Sequence, residues 1–173
     1  MKLVNKILVY IDDSDAAIAA IQASILLAKQ FEAELYGLYV INTKALGDLV
    51  KARIFVESER EEYARELEED AERYLRLARR LADSKKVAIE AEKVQGTPHS
   101  EIRKAVEEKG IDLLVVGVES NRTKSLREEL HSDKDMAMKQ VTCDVLCIKN
   151  EERMERCFET EEEGENHGFG KLN

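Results

Sequence analysis

The 173-residue chain is short of cysteine, of basic charge and of long apolar runs, and each shortage removes a class of protein. Cys143, Cys147 and Cys157 are an odd and sparse set, unlike a disulfide framework. Cys143 and Cys147 lie four apart with no second pair, and His99, His131 and His167 have no ligand spacing among themselves, so neither set reads as a metal site. The two neighbouring cysteines read instead as small apolar core residues in a reducing compartment. Lys and Arg number 27 against 36 Asp and Glu, a net charge of -9, and without a basic patch no nucleic-acid partner is expected. The opening MKLVNKILVYIDDSD holds one short apolar run, broken by Asp12 and Asp13. It is neither a secretory core nor a membrane span, so the expectation is a soluble, cytoplasmic protein with no membrane partner. Catalytic signatures are missing as well. There is no G-x-S-x-G around a serine and no G-x-x-x-x-G-K-[ST] phosphate loop.

What is present is a regular alternation. KILVYI at 6–11 is a short run of β-formers and predicts a buried strand. DDSD at 12–15 supplies turn and capping residues. Ala17, Ala20, Ile21, Ser24, Ala28 and Phe31 then recur at helical spacing, predicting a helix over about 14–31. ELYGLYVI at 34–41 is a second strand, and 42–56 reads as a loop with some helix. From 57 to 82, Tyr63, Leu67, Ala71, Tyr74, Ala78 and Leu81 form one apolar stripe on a helix otherwise rich in Glu and Arg. That stripe fits packing on a sheet better than a coiled coil. VAIEAEKV at 87–94 alternates as a strand with one exposed face. Thr97 and Pro98 open a helix that Gly110 closes. DLLVVGV at 112–118 is apolar enough to be central. A polar loop, a helix to about 140 and a last strand, DVLCIK at 144–149, complete the order.

Strands and helices that alternate in this way predict an α/β fold, a five-stranded parallel sheet sandwiched by helices in the Rossmann-like manner, over residues 1–149. Ligands of such sheets sit beyond the C-terminal strand ends, here 12–14, 40–43 and 117–132. Residues 150–173 carry eight Glu against three Arg and Lys, and are expected to be an acidic, largely disordered tail, with a helical turn or two at its start.

Three stretches together resemble the universal stress protein family: ILVYIDDSDAAIAAIQASILLAKQFEAELYGLYVI, VQGTPHSEIRKAVEEKGIDLLVVG and VTCDVLCIK. The likeness spans residues 6–149. It implies a parallel α/β sandwich, usually dimeric, of which some members bind ATP. By position, Asp12 would contact the adenosine part and Val40 would line the base pocket. The family's phosphate loop reads Gly, two residues, Gly, nine residues, Gly, then Ser or Thr. Gly117 matches the first glycine, and Ser120 falls on the second. The third falls on Leu130 by strict spacing, or on His131 with Ser132 as the hydroxyl if one residue is inserted.

Two of three glycines are therefore replaced. A phosphate cradle presents bare N–H groups, and glycine gives close approach and positive φ. Ser120 is a mild change, whereas the His131 ring would fill phosphate space and resist positive φ. Arg122, Lys124, Arg127 and Lys134 attract phosphate; Glu119, Glu128, Glu129 and Asp133 repel it. The expectation is a non-catalytic stress protein, a regulatory or protective factor with weak or no ATP binding and no certain cofactor. One alternative is an ATP-binding switch, loaded with Mg-ATP through Ser120, Ser132 and the loop cations and hydrolysing slowly if at all. Another is an adaptor that docks a protein partner through the long charged helix or the acidic tail. A homodimer through the last strand (144–149) is expected, because that apolar edge is otherwise open.

Overall fold

The structure is a computed structural model that describes residues 2–53, 56–119 and 128–164, without the side chains of 128–132 and 161–164. Strand β1 (Lys6–Ile11) is followed by α1 (Asp15–Phe31), β2 (Glu34–Asn42), α2 (Thr43–Lys51), α3 (Glu57–Ser84) and β3 (Ile89–Gly96). Next come α4 (Pro98–Lys109), β4 (Leu113–Gly117), α5 (Glu128–Gln140), β5 (Asp144–Ile148) and α6 (Glu151–Gly164).

The five described strands are parallel and lie in the order β3-β2-β1-β4-β5. The chain thus winds outward from β1 to one edge, returns, and fills the other edge. β1 and β4 are the neighbours at which the winding reverses, and sheets of this kind form a crevice beyond the C-terminal ends of such a pair. β1 is buried on both faces, which is why its sequence runs apolar without alternation. Ile7, Val9 and Ile11 pack towards α1 and α3; Leu8 and Tyr10 pack towards α4 and α5. Local signals hold each helix in place. Ser14 caps α1, its Oγ accepting from the Ala17 N–H at 3.2 Å. Pro98 occupies the first turn of α4, and Gly110 closes that helix at φ 65°.

The helix expected within 42–56 is present, and the structure departs from the sequence reading in two places. Asn42 accepts from the Ala45 N–H at 3.1 Å and starts α2, whose Leu46 is buried. The third strand begins two residues later than 87–94, because Lys86 takes a left-handed turn at φ 59° and Val87 donates back to the Ala82 carbonyl. The second departure is the tail. Residues 151–164, expected to be disordered beyond a turn or two, form a 14-residue helix packed on α1. Asn150 caps it, accepting from the Arg153 N–H at 2.9 Å, and Met154 and Phe158 supply an apolar face at helical spacing. Phe158 joins the same core as Ile7 and Ile25, and its carbonyl accepts from the buried Lys85 Nζ at 2.5 Å. An average over 24 residues hides two well-spaced apolar ones. Residues 165–173 lie outside the described residues.

Candidate functional site

The crevice between β1 and β4 is built from four short pieces of chain. Ile11 ends β1, and the backbone turns through Asp12 and Asp13 into the Ser14 cap of α1. Asp12 is not itself the cap. Its Oδ1 accepts from the Ser14 N–H at 3.0 Å and from the Ser14 hydroxyl, and so orients the residue that caps. At the end of β4, Gly117 lies against the first turn of α1. A Cβ added there would stand 2.1 Å from the Ala16 carbonyl oxygen. Glycine is required at 117 by the approach of α1 to β4, whether or not phosphate ever binds.

Lys134 of α5 reaches into this gap. Its Nζ lies 2.8 Å from Asp12 Oδ2 and donates to the Gly117 carbonyl at 2.7 Å. The ammonium also sits 5.9 Å from the centroid of the Tyr10 ring. The Lys134 side chain is 13% exposed and that of Asp12 is 23% exposed. One lysine therefore ties the ends of β1 and β4 together across the crevice. Next to it on α5, Asp133 Oδ1 lies 2.7 Å from His99 Nδ1 at the start of α4. Consecutive residues of α5 thus hold its first half to the sheet and to α4.

Charge follows the geometry. Burial is the largest influence on Asp12 and pushes its carboxyl up. The charge and hydrogen bond of Lys134, with the two bonds from Ser14, outweigh it and hold Asp12 below the usual carboxylate range. A folded-state pKa below the unfolded one means that folding favours the ionised form. The stabilisation from this pair is complete above the ordinary carboxylate range and is lost as pH falls below about 4. The Tyr10 hydroxyl is pushed well up by burial and then by the charge of Asp12.

Of the residues expected at a nucleotide site, Asp12 and Gly117 meet at the crevice, joined through Lys134. Val40 is a buried residue of β2, packed in the core on the α4 and α5 side. Ser120 lies outside the described residues. His131 and Ser132 fall within α5, their side chains outside the description. Helical backbone has negative φ, so His131 is not asked for the positive φ that a glycine there would supply. Asp12 Oδ1 accepts twice from Ser14 and Oδ2 accepts from Lys134, so the carboxylate keeps little free acceptor capacity towards the crevice. Among the described residues, no group of three or more His, Cys, Asp or Glu could hold a metal ion.

A model of the universal stress protein family matches residues 4–149. The chain belongs to this family. It is 31% identical over 147 residues to universal stress protein MJ0531 of Methanocaldococcus jannaschii, covering 85% of this chain and 83% of that protein. It is 32% identical over 152 residues to universal stress protein YxiE of Bacillus subtilis, covering 84% and 99%. Its fold is similar to that of the universal stress protein UspA from Lactobacillus plantarum, with TM-score 0.64, 24% identity and coverage of 84% and 97%. Other universal stress proteins of similar fold were solved as complexes with cAMP, with AMP (from Arabidopsis thaliana) and with dAMP (from Archaeoglobus fulgidus). The family match ends at residue 149, and α6 lies beyond it.

Sequence reasoning placed Lys134 among the loop cations, alongside Arg122, Lys124 and Arg127. Its inward position was nevertheless readable. Lys134, Ala137, Met138 and Val141 share helical spacing, and the last three belong to the core on that face. A lysine on an inward stripe needs an acceptor, and Asp12 is the acid at the end of the strand below.

Proposed function

We propose that this universal stress protein acts without catalysis, as a cytoplasmic regulatory or protective factor whose crevice binds ATP weakly or not at all. The observation that carries this reading is the internal pairing of the crevice. The Asp12 carboxylate and the Gly117 carbonyl are spent on Lys134, and the space beside Gly117 is filled by Ala16. A nucleotide must replace contacts that the chain already makes to itself. The test starts with purified protein and no added nucleotide. The protein is denatured and its supernatant assayed by mass spectrometry for ATP, ADP and AMP; Mg-ATP is then titrated by calorimetry. The expected result is no stoichiometric nucleotide and no binding in the micromolar range. Co-purified nucleotide, or micromolar affinity, sinks the reading.

That outcome would favour a second reading, an ATP-binding switch. It draws support from the cAMP, AMP and dAMP complexes of similarly folded universal stress proteins. In either case the protein is proposed to work as a homodimer through β5. Asp144 donates to the Asp112 carbonyl and Ile148 accepts from the Val118 N–H, so the alternate residues Val145 and Cys147 turn their backbone groups to the open edge.

A further inference from the structure

The geometry points to Lys134 as a built-in occupant of the crevice, a residue that excludes nucleotide from the Asp12–Gly117 gap and must withdraw before one can enter. This rests on the reading of the crevice given above and assigns the exclusion to one side chain.

Three observations argue for an occupant rather than a phosphate ligand. An ammonium has three N–H donors. Two of the Lys134 donors are already directed to Asp12 Oδ2 and the Gly117 carbonyl, at 2.8 and 2.7 Å. Its charge is neutralised by Asp12 at contact distance, so the pair offers an incoming phosphate no net attraction. And the lysine is anchored from behind. It stands on α5 directly after Asp133, which is bound to His99, and three residues before the fully buried Ala137. A surface lysine recruiting anions would have its head in water, but this side chain is 13% exposed.

The crevice thus has a closed state, with Lys134 on Asp12, and an open state in which Asp12 and the Gly117 carbonyl are free. A ligand that binds only the open state has its apparent affinity reduced by the fraction of molecules that are open. Removing the ammonium removes the closed state. The opposite role, a lysine that holds phosphate, predicts the opposite sign.

The experiment measures Mg-ATP affinity by calorimetry for the full chain, Lys134→Ala and Lys134→Met, with thermal melts to establish that each is folded. Met keeps the bulk of the stem and removes the ammonium with its charge and donors, so it carries the test where Ala does not fold. The expected result is that a folded variant binds ATP about 10-fold or more tightly than the unsubstituted chain. Weaker or unchanged affinity overturns the inference, as does no detectable binding by any of the three at millimolar ATP. The proposed function is judged separately, on the unsubstituted chain alone. If that chain binds ATP tightly, the function falls, and the ratio between variant and parent still decides what Lys134 does.

Discussion

The two edges of the sheet meet the same problem in different ways. Both β3 and β5 present a row of backbone groups that no neighbouring strand satisfies among the described residues. On β3 the side chains are charged and tied to the helices. Lys109 of α4 lies 3.2 Å from both Glu90 and Glu92, and Lys93 lies 2.7 and 2.8 Å from Glu68 and Glu72 of α3. Arg79 of α3 donates to the Ala91 carbonyl at 2.7 Å, covering a backbone acceptor of that strand. β5 is only five residues long, and Val145, Leu146 and Cys147 at its centre are uncharged and half-buried. An edge laced with ion pairs repels a second strand, whereas a short apolar edge admits one. The difference favours β5 as the edge of the proposed dimer.

The largest expected effect comes from closing the open edge. Val145→Pro deletes an outward N–H and leaves the ladder to β4 intact, since the Asp144 and Ile148 bonds are the ones that face β4. The proposed dimer should dissociate about 100-fold more readily, read by sedimentation against concentration. A dimer of unchanged affinity would place the contact elsewhere and remove the functional meaning of the comparison.

A smaller effect is expected from opening the closed edge. Glu90→Val combined with Glu92→Val takes two of the three charges off β3 and brings it closer to the character of β5. Assemblies larger than a dimer should then appear in light scattering as concentration rises, because a molecule with two sticky edges can extend without closing. If the doubly substituted protein keeps the parent's size, the charges are not what protects β3.

The least effect is expected at Lys93. Its two partners lie on the surface, where water and salt screen the attraction, although each contact raises the lysine pKa and lowers that of its carboxylate. Lys93→Met should lower the melting temperature by roughly 2 °C or less, and added salt should shrink the difference further. A larger loss would mean that these pairs hold α3 against the sheet and do more than blunt an edge.

Much of this was legible in the chain of letters. The alternation of apolar runs with 3.6-residue stripes placed all five strands and the long helix, because burial on a two-sided sheet demands those periods. Asp12 and Gly117 were identified as meeting at one place because parallel strands put their ends together. The rest depended on contacts between segments distant in sequence. The reading of the tail made its helix too short because Met154 and Phe158 become a helix face only when α1 is there to cover them. Lys134 was misjudged because its partners, Asp12 and Gly117, come from two other strands' ends.

By itself the sequence determined the order of elements, the parallel sheet, the family and the position of the crevice, because each follows from local periodicity, capping and the geometry of winding a chain around one sheet. The tertiary structure alone decided how the crevice is occupied, which edge is guarded and that the helix opening the acidic tail runs to residue 164 and packs on α1. Those outcomes depend on distances of a few ångströms between groups many residues apart. A lysine reads the same in sequence whether its ammonium faces water or a buried carboxylate; only the fold brings the carboxylate within 2.8 Å.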